Sequence, residues 1–440
     1  MKVLSGILRE AGVVGAGGAG FPSYAKLNEA CDTVILNCAE CEPLLKLHRQ
    51  VLEYHAEEIV FALDEAAKAM GAKNVIIAVK PHYKEAIAAA KKAMEGKEGF
   101  SIGLLPEIYP AGDEVITIYE TTGRVVPAGQ LPISVGCVVY NVETMLNAAY
   151  AIREAKGVTF KYITIAGEVK NPCTLKAPIG MTYGELIELA GGATIENPVV
   201  FAGGPMTGFI SSKNDIVTKT SNAILVLPET QYIIQKRMSP VTIDLKRAMS
   251  ACCNCMMCTD LCSRHLLGHP IDPHKFMRNA TSGVTKDTTP YINSFFCSSC
   301  GLCELYSCFQ NLNPRTLLAQ TKGNLRSAGL TPPKDIETKE VHKHREFRTV
   351  PISKLVSRLG LKKYDVECPL DDTLVKADKV KIMLSQSIGA PSVACVKKGD
   401  TVKIGDKVAQ APEKLGVPVH ASIDGVVTEV TDKYVIISAK

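Results

Sequence analysis

The sequence predicts a multidomain chain that joins α/β and α+β modules, and three observations carry that expectation. Strand-like and helix-like segments alternate from the N-terminus to about residue 155. Eight of the 16 cysteines crowd into two runs between Cys252 and Cys308. Short strands with turn signals fill residues 376–440. A length of 440 residues is long for one domain and suggests roughly three to four modules.

Taken in order, residues 2–12 form a short amphipathic helix that runs into the glycine loop GAGGAGFP (15–22). A helix starts at Pro22, where a missing N–H costs nothing. TVILN (33–37) reads as a strand, residues 43–71 as one or two helices, and NVIIAVK (74–80) as a strand. Residues 83–94 are helical and FSIGLLP (100–106) is a strand again. This alternation predicts an α/β layer with a mainly parallel sheet over residues 1–155. A second unit, 160–235, reads as strand, strand, helix, strand and strand (KYITIAGEV, TLKAPIGMTYGELIELAGG, PVVFAGGP, NAILVLP). One helix against a small mixed sheet suggests a β-grasp domain. Residues 240–330 turn helical around the cysteine runs, and 331–375 read as a basic linker. In 376–440, the pattern KKGDTVKIGDKVAQ and the later ASIDGVV read as a small barrel-sandwich hybrid. Lys414 lacks the setting of a lysine that carries lipoate or biotin.

Apolar residues at 46% and charged residues at 22% are the profile of an ordinary globular protein. No window holds the roughly 18 apolar residues of a membrane span, so no transmembrane segment is expected. The start, MKVLSGILREAG, has no apolar core of a secretory signal. Net charge is only +5. The stretch 339–363 is rich in Lys, Arg and His, but no aromatics alternate with it to stack bases, so nucleic acid is not expected as a partner. It reads as a solvated linker or, more sharply, as a surface for an acidic partner. A secreted disulfide scaffold would be short and would spread its pairs, so the cysteines point to a reducing cytoplasm.

Cys252, Cys255, Cys258 and Cys262 follow C-x2-C-x2-C-x3-C. Cys297, Cys300, Cys303 and Cys308 follow C-x2-C-x2-C-x4-C. Three thiolates at successive spacings of three wrap one corner of a cubane, and the fourth comes from beyond the loop, often from the other run. Structural zinc favours separated pairs, so the runs predict two [4Fe–4S] clusters. The fourth cysteines are followed by Ser263 and Phe309 rather than the usual proline. Cys253 breaks the regular spacing and reads as a spare thiol.

Gly15, Gly17 and Gly20 match G-x-G-x-x-G, with Glu40 about 20 positions on, the outline of a Rossmann site. That fingerprint needs a strand before the first glycine, and a helix is expected there instead. The glycines still mean close backbone approach, most simply to a phosphate-bearing cofactor. Cys38 and Cys41 form C-x2-C, but they lie inside a nucleotide-type motif rather than a thioredoxin setting.

GAGGAGFPSYAK (15–26), NCAECEP (37–43), YPAGDE (109–114) and NVET (141–144) resemble, in that order, the NADH- and FMN-binding subunit of respiratory complex I. Together with the grasp segment (of SLBB type), the cysteine runs and the last segment, nearly the whole chain resembles the RnfC family of the Rnf complex. Within that family it is most similar to the soluble members that reduce corrinoids in propanediol utilisation. The resemblance implies that Gly15, Gly17 and Gly18 hold the FMN phosphate, with Lys26 adding a charge-assisted contact and Gly112 lining the site. It implies that Asn37, Asn141 and Thr144 hydrogen-bond the flavin. Phe21, Glu42 and Glu114 would line the NADH pocket, with Glu42 and Glu114 at the reacting end. Ala39 and Tyr140 depart from the complex I pattern, so some flavin contacts must differ.

These parts belong together chemically. A nicotinamide gives up two electrons as a hydride, a [4Fe–4S] cluster takes one at a time, and a flavin converts between the two. The resemblance implies an NADH-dependent flavo-iron–sulfur reductase whose acceptor is cobalamin, working within a protein complex in the cytoplasm or a bacterial microcompartment. Two alternatives stay open. One is an NADH-entry module that feeds a partner redox enzyme, such as methylenetetrahydrofolate reductase or a bifurcating complex. The other is an electron wire that binds no nucleotide.

Overall fold

Val34, Ile35 and Leu36 are fully buried, as a strand covered on both faces must be. They belong to β1 (Thr33–Cys38), the centre of a four-stranded parallel sheet. The computed structural model describes residues 1–283, 286–334 and 336–440. In the first domain β1 pairs with β2 (Asn74–Val79), which pairs with β3 (Phe100–Leu104). The two-residue strand β4 (Ile108–Tyr109) lies apart, and β5 (Cys137–Asn141) pairs with the other side of β1.

The helices are α1 (Lys2–Glu10), α2 (Leu47–Tyr54), α3 (Ala56–Met70), α4 (Lys84–Ala93), α5 (Glu114–Thr122) and α6 (Val142–Glu154). Alternation along β1 sorts them: Val34 and Leu36 share a core with α3 and α6, while Ile35 packs with α5 on the other face. The helix expected from Pro22 is a short 3-10 segment, Ser23–Asn28, with Pro22 as its cap. A helix, α1, precedes the glycine loop, as the case against a Rossmann site requires.

The grasp unit is β6 (Phe160–Gly167), β7 (Cys173–Pro178), α7 (Tyr183–Leu189), β8 (Val199–Ala202), β9 (Phe209–Ser211) and β10 (Ala223–Leu227). Thr182 and Glu185 close a reciprocal capping box at the start of α7. The cysteine runs sit among α8 (Tyr232–Met238), α9 (Val241–Ala251) and the longer helices Pro273–Ser282 and Pro314–Ser327. Their core gathers Ala248, Phe276, Met277, Leu312, Leu317 and Leu318.

The segment read as a solvated basic linker is corrected by the structure. Within 331–375, β11 (Val350–Pro351) pairs with β4, and β12 (Leu370–Leu374) adds an edge strand to the grasp sheet beside β7. Leu355, Leu359 and Leu361 are fully buried. They form one apolar stripe, with Lys354, Arg358, Lys362 and Lys363 on the outer face. Residues near the C-terminus build a four-stranded and a three-stranded sheet around one core that includes Val380, Val408, Val427 and Ile437. This last unit docks on the first through Lys219, whose amine donates to Gly12 O at 2.8 Å and Pro418 O at 3.1 Å. Among the described residues it has no carboxylate partner, and burial lowers its pKa to about 7.

A second buried lysine is paired. The Lys161 amine and the Glu143 carboxylate, both wholly inaccessible, meet beneath the glycine loop, where Lys161 also reaches Ala16 O at 3.3 Å. Removing one partner leaves a buried charge uncompensated, so Lys161→Met is expected to cost roughly 3–5 kcal/mol. A lowered urea midpoint checks this. The double variant with Glu143→Gln should recover much of the loss, because no unpaired charge then remains.

Candidate functional site

Parallel strands aim their C-terminal ends the same way, and the strand order β3-β2-β1-β5 reverses direction between β1 and β5. Ligand crevices in open α/β sheets form at such a point. Asn37, one residue before the end of β1, and Asn141, the last residue of β5, stand opposite each other in register. Asn37 donates to Gly112 O at 2.8 Å, which ties the 109–114 loop to β1. The Asn141 side-chain oxygen accepts from Glu143 N at 3.0 Å and caps α6, while its amide nitrogen lies 3.0 Å from His48 Nε2. His48 is itself held by Glu40.

The glycine loop folds over this point. Gly15 N donates to Phe21 O at 2.9 Å and closes the loop on itself. Thr144 accepts from Ala16 N at 2.9 Å and donates to Val14 O at 3.3 Å, so its hydroxyl fastens the loop from below. A Cβ on Gly17 would land on the Asn141 amide, whereas Gly18 faces open space. A Cβ on Gly112 would crowd Cys41 Sγ at 3.0 Å and Ala39 Cβ at 3.3 Å. These positions form a cradle open only to backbone, which fits a planar phosphate-bearing cofactor such as FMN.

Two cavities flank the cradle. The larger, about 950 Å³, is lined by Gly17, Gly18, Cys41, Glu42, Tyr109 and Gly112 from the first domain. The grasp loop 203–208 and, at its far side, Ser298 and Cys300 also line it. The smaller, about 330 Å³, is lined by Phe21, Lys26, Glu114, Leu131 and Pro132 beside β5. Burial lowers the pKa of Lys26, partly offset by Glu114; its amine donates to Val139 O at 2.7 Å. Of the sequence-derived residues, Gly17, Gly18, Glu42 and Gly112 line the larger cavity and Phe21, Lys26 and Glu114 the smaller, while Gly15, Asn37, Asn141 and Thr144 line neither.

Glu42 is aimed away from the first domain. Its carboxylate accepts from Met206 N at 2.9 Å and Thr207 Oγ1 at 2.6 Å, and burial raises its pKa. From the other side Arg237 donates to Met206 O at 2.8 Å and Gly208 O at 3.3 Å, and pairs with buried Glu304 at 2.7 Å. Asp113, which caps α5, receives Arg264 on both oxygens, at 2.8 and 3.2 Å. Tyr109 donates to Cys300 O at 2.7 Å. His48, Tyr109, Arg237 and Arg264 were not singled out from the sequence. Their partners lie far off in the chain, and only the glycines of 203–208 hinted at a second wall.

The electrostatic neighbours of the buried thiols cross between the two runs. The Cys258 thiol is pushed up to about 12 by burial and then by Cys308, Cys255 and Cys252. Cys262 is raised by burial and then by Cys300, with Cys297 adding to it. Cys303 is raised by burial and then by Cys297 and Cys300, with Cys258 also near. Among the described residues no three His, Cys, Asp or Glu side chains are grouped closely enough to hold a single ion. Iron would hold these sulfurs as thiolates against the protonation that burial favours, and Arg264 near Cys300, Lys322 near Cys297 and Lys236 near Cys308 offset part of that cost. Cys253 is exposed.

Fold and site together define an NADH-linked flavo-iron–sulfur oxidoreductase. Residues 8–150 match the Nuo51 FMN-binding domain, 162–210 the SLBB domain, 251–313 the 4Fe-4S dicluster domain and 360–440 the RnfC barrel sandwich hybrid domain. The chain is 41% identical to cobalamin reductase PduS of Citrobacter freundii, covering 97% of this chain and 94% of that one. Against PduS of Salmonella typhimurium it is 40% identical with the same coverage. It therefore belongs to the PduS cobalamin reductase family. The RnfC-type component of the proton-translocating ferredoxin:NAD(+) oxidoreductase complex of Clostridium ljungdahlii is 36% identical over 60% of this chain and 57% of its own length. Among solved structures, an NAD+-reducing [NiFe]-hydrogenase in the H2-reduced state shares the fold, with TM-score 0.50 and 21% identity over 77% of this chain and 64% of that one.

Gly17→Ala must displace the Asn141 amide, so flavin retained after purification is expected to fall roughly tenfold with the fold intact. Flavin released on denaturation, compared with the circular dichroism of the native variant, checks this.

Proposed function

We propose that this chain oxidises NADH and delivers the electrons, through FMN and two [4Fe–4S] clusters, to a corrinoid. One observation carries the reading: a single cleft opens on the Gly17–Gly18 loop at one side and on Cys300 at the other. The acceptor is suggested by the relatives, which are cobalamin reductases matched over nearly their whole length. Bound FMN would exchange two electrons with nicotinamide and one at a time with the clusters.

The chain's own residues hold and shield. Gly17 and Gly18 give backbone room for the phosphate, and Asn37 and Asn141 present amides at the strand ends. Gly112 completes the flavin site, whereas Lys26, expected there, lines the smaller pocket with Phe21 and Glu114. Thr144 and Gly15 act one step back, keeping the loop in shape. Phe21 and Glu114 face the smaller pocket, on the dinucleotide side. Glu42 closes the wall between cleft and grasp loop, so its part is to exclude water and fix that wall. Cys252, Cys255, Cys258 and Cys308 would hold one cluster, and Cys297, Cys300, Cys303 and Cys262 the other. In two-cluster ferredoxins too, the fourth cysteine of a run ligates the other cluster. Among the described residues no two cysteines are joined by a disulfide. Among the described residues no helix is long and apolar enough to cross a membrane.

Under strict anaerobiosis NADH is expected to bleach both the flavin and the broad cluster absorbance of the reconstituted protein, and then to reduce added cobalamin. Bleaching without corrinoid turnover would remove the corrinoid and favour a partner enzyme as acceptor. No bleaching at all would remove the NADH input.

A further inference from the structure

We propose that Lys161 is a positioning residue for the flavin phosphate. Its ammonium, beneath the glycine loop, holds and polarises the Ala16–Gly17 peptide, so that the loop favours a phosphorylated flavin over the same flavin without phosphate. The inference deepens the function proposed above and rests on its FMN site.

The cleft itself is poorly supplied with positive charge. Among the described residues that line it, Lys381 is the one amine. Against it stand the carboxylates of Glu42, Asp215 and Asp113, the last already paired with Arg264. The Lys381 amine lies 4.2 Å from the centre of the Tyr434 ring, on the C-terminal unit. Lys26 lines the other pocket and donates to Val139 O at 2.7 Å. A phosphate dianion at the loop therefore draws its counter-charge from behind the wall.

Lys161 is placed there. It stands on β6, its side chain wholly inaccessible, and its amine reaches Ala16 O at 3.3 Å. The Glu143 carboxylate fixes it: one oxygen takes the amine and the other accepts from Tyr162 N at 3.0 Å. Ala16 N donates to Thr144 Oγ1 at 2.9 Å, so residue 16 is tied at both its backbone groups. In a planar trans peptide the N–H points opposite to the C=O. With Ala16 O turned to the buried amine, Gly17 N–H is turned from it, and Gly17 lines the cleft. Among the described residues Gly17 N and Gly18 N donate to no acceptor. A charged donor on the carbonyl polarises the peptide and strengthens the N–H at its other end, most of all where water is absent. FMN brings a charged acceptor to this N–H, and riboflavin does not.

Titration of FMN and of riboflavin into the full-length, flavin-stripped protein, followed by quenching of flavin fluorescence, tests this. The double variant Lys161→Met with Glu143→Gln leaves no unpaired charge. It should bind FMN about tenfold more weakly than the parent, with the riboflavin Kd unchanged. Thr144→Val, which loosens the loop and keeps the charge, should weaken both flavins alike. Should the double variant not fold, Glu143→Gln alone decides, because it leaves the ammonium uncompensated and should raise the preference for FMN severalfold. The proposal is overturned if the double variant weakens both flavins equally or neither, if Thr144→Val shifts the preference as far, or if Glu143→Gln leaves it unchanged. A parent protein that binds neither flavin overturns the FMN reading, and this inference with it.

Discussion

The rest of the molecule depends on how the grasp loop 203–208 is held between two charged side chains. Glu42 grips it from the first domain at Met206 N and Arg237 from the cluster-bearing region at Met206 O and Gly208 O. Neither charge could be buried alone. Glu42 keeps hydrogen bonds that partly offset its desolvation, and Arg237 is paired with Glu304, whose second oxygen accepts from Thr316 N at 2.9 Å and Thr316 Oγ1 at 2.8 Å. The result is a wall of backbone, not of mobile side chains, between a cofactor cradle and a thiol group. Electron transfer needs that separation to be constant, and a loop clamped at both sides supplies it.

The same logic joins the other domains. Asp113 both caps α5 and receives Arg264, so the loop that carries Gly112 is fixed to the start of the helix after Cys262. Lys219 bridges a grasp-domain loop, the end of α1 and the C-terminal unit through two carbonyls. Each junction is a polar contact made by a buried or half-buried side chain, and each leaves an uncompensated group if its partner is lost. The domains therefore hold one another in place more specifically than apolar faces alone would.

Much of the fold was legible because it is written in short-range patterns. The run TVILN has the continuous burial of a central parallel strand, and the absence of a strand before Gly15 correctly set aside a Rossmann site. The basic stretch after residue 339 was misleading for a physical reason. Its charges are near neighbours in sequence, but Leu355, Leu359 and Leu361 share one buried face, which a count of lysines does not reveal. At the site, the glycines and strand-end asparagines could be picked out one by one. Thr144 could not be assigned its contact with the loop, because that contact joins residues 128 apart.

The sequence by itself determined which cysteines act as local sets, since a spacing of three residues confines three thiols to one loop whatever surrounds it. It also determined that a flavin-type loop and the clusters share one chain. Only the tertiary structure decided that Ser298 and Cys300 reach the cleft, and that Phe21, Lys26 and Glu114 part from Gly17, Gly18, Glu42 and Gly112. Those outcomes depend on side chains far apart along the chain being brought together by packing, and no local spacing encodes them.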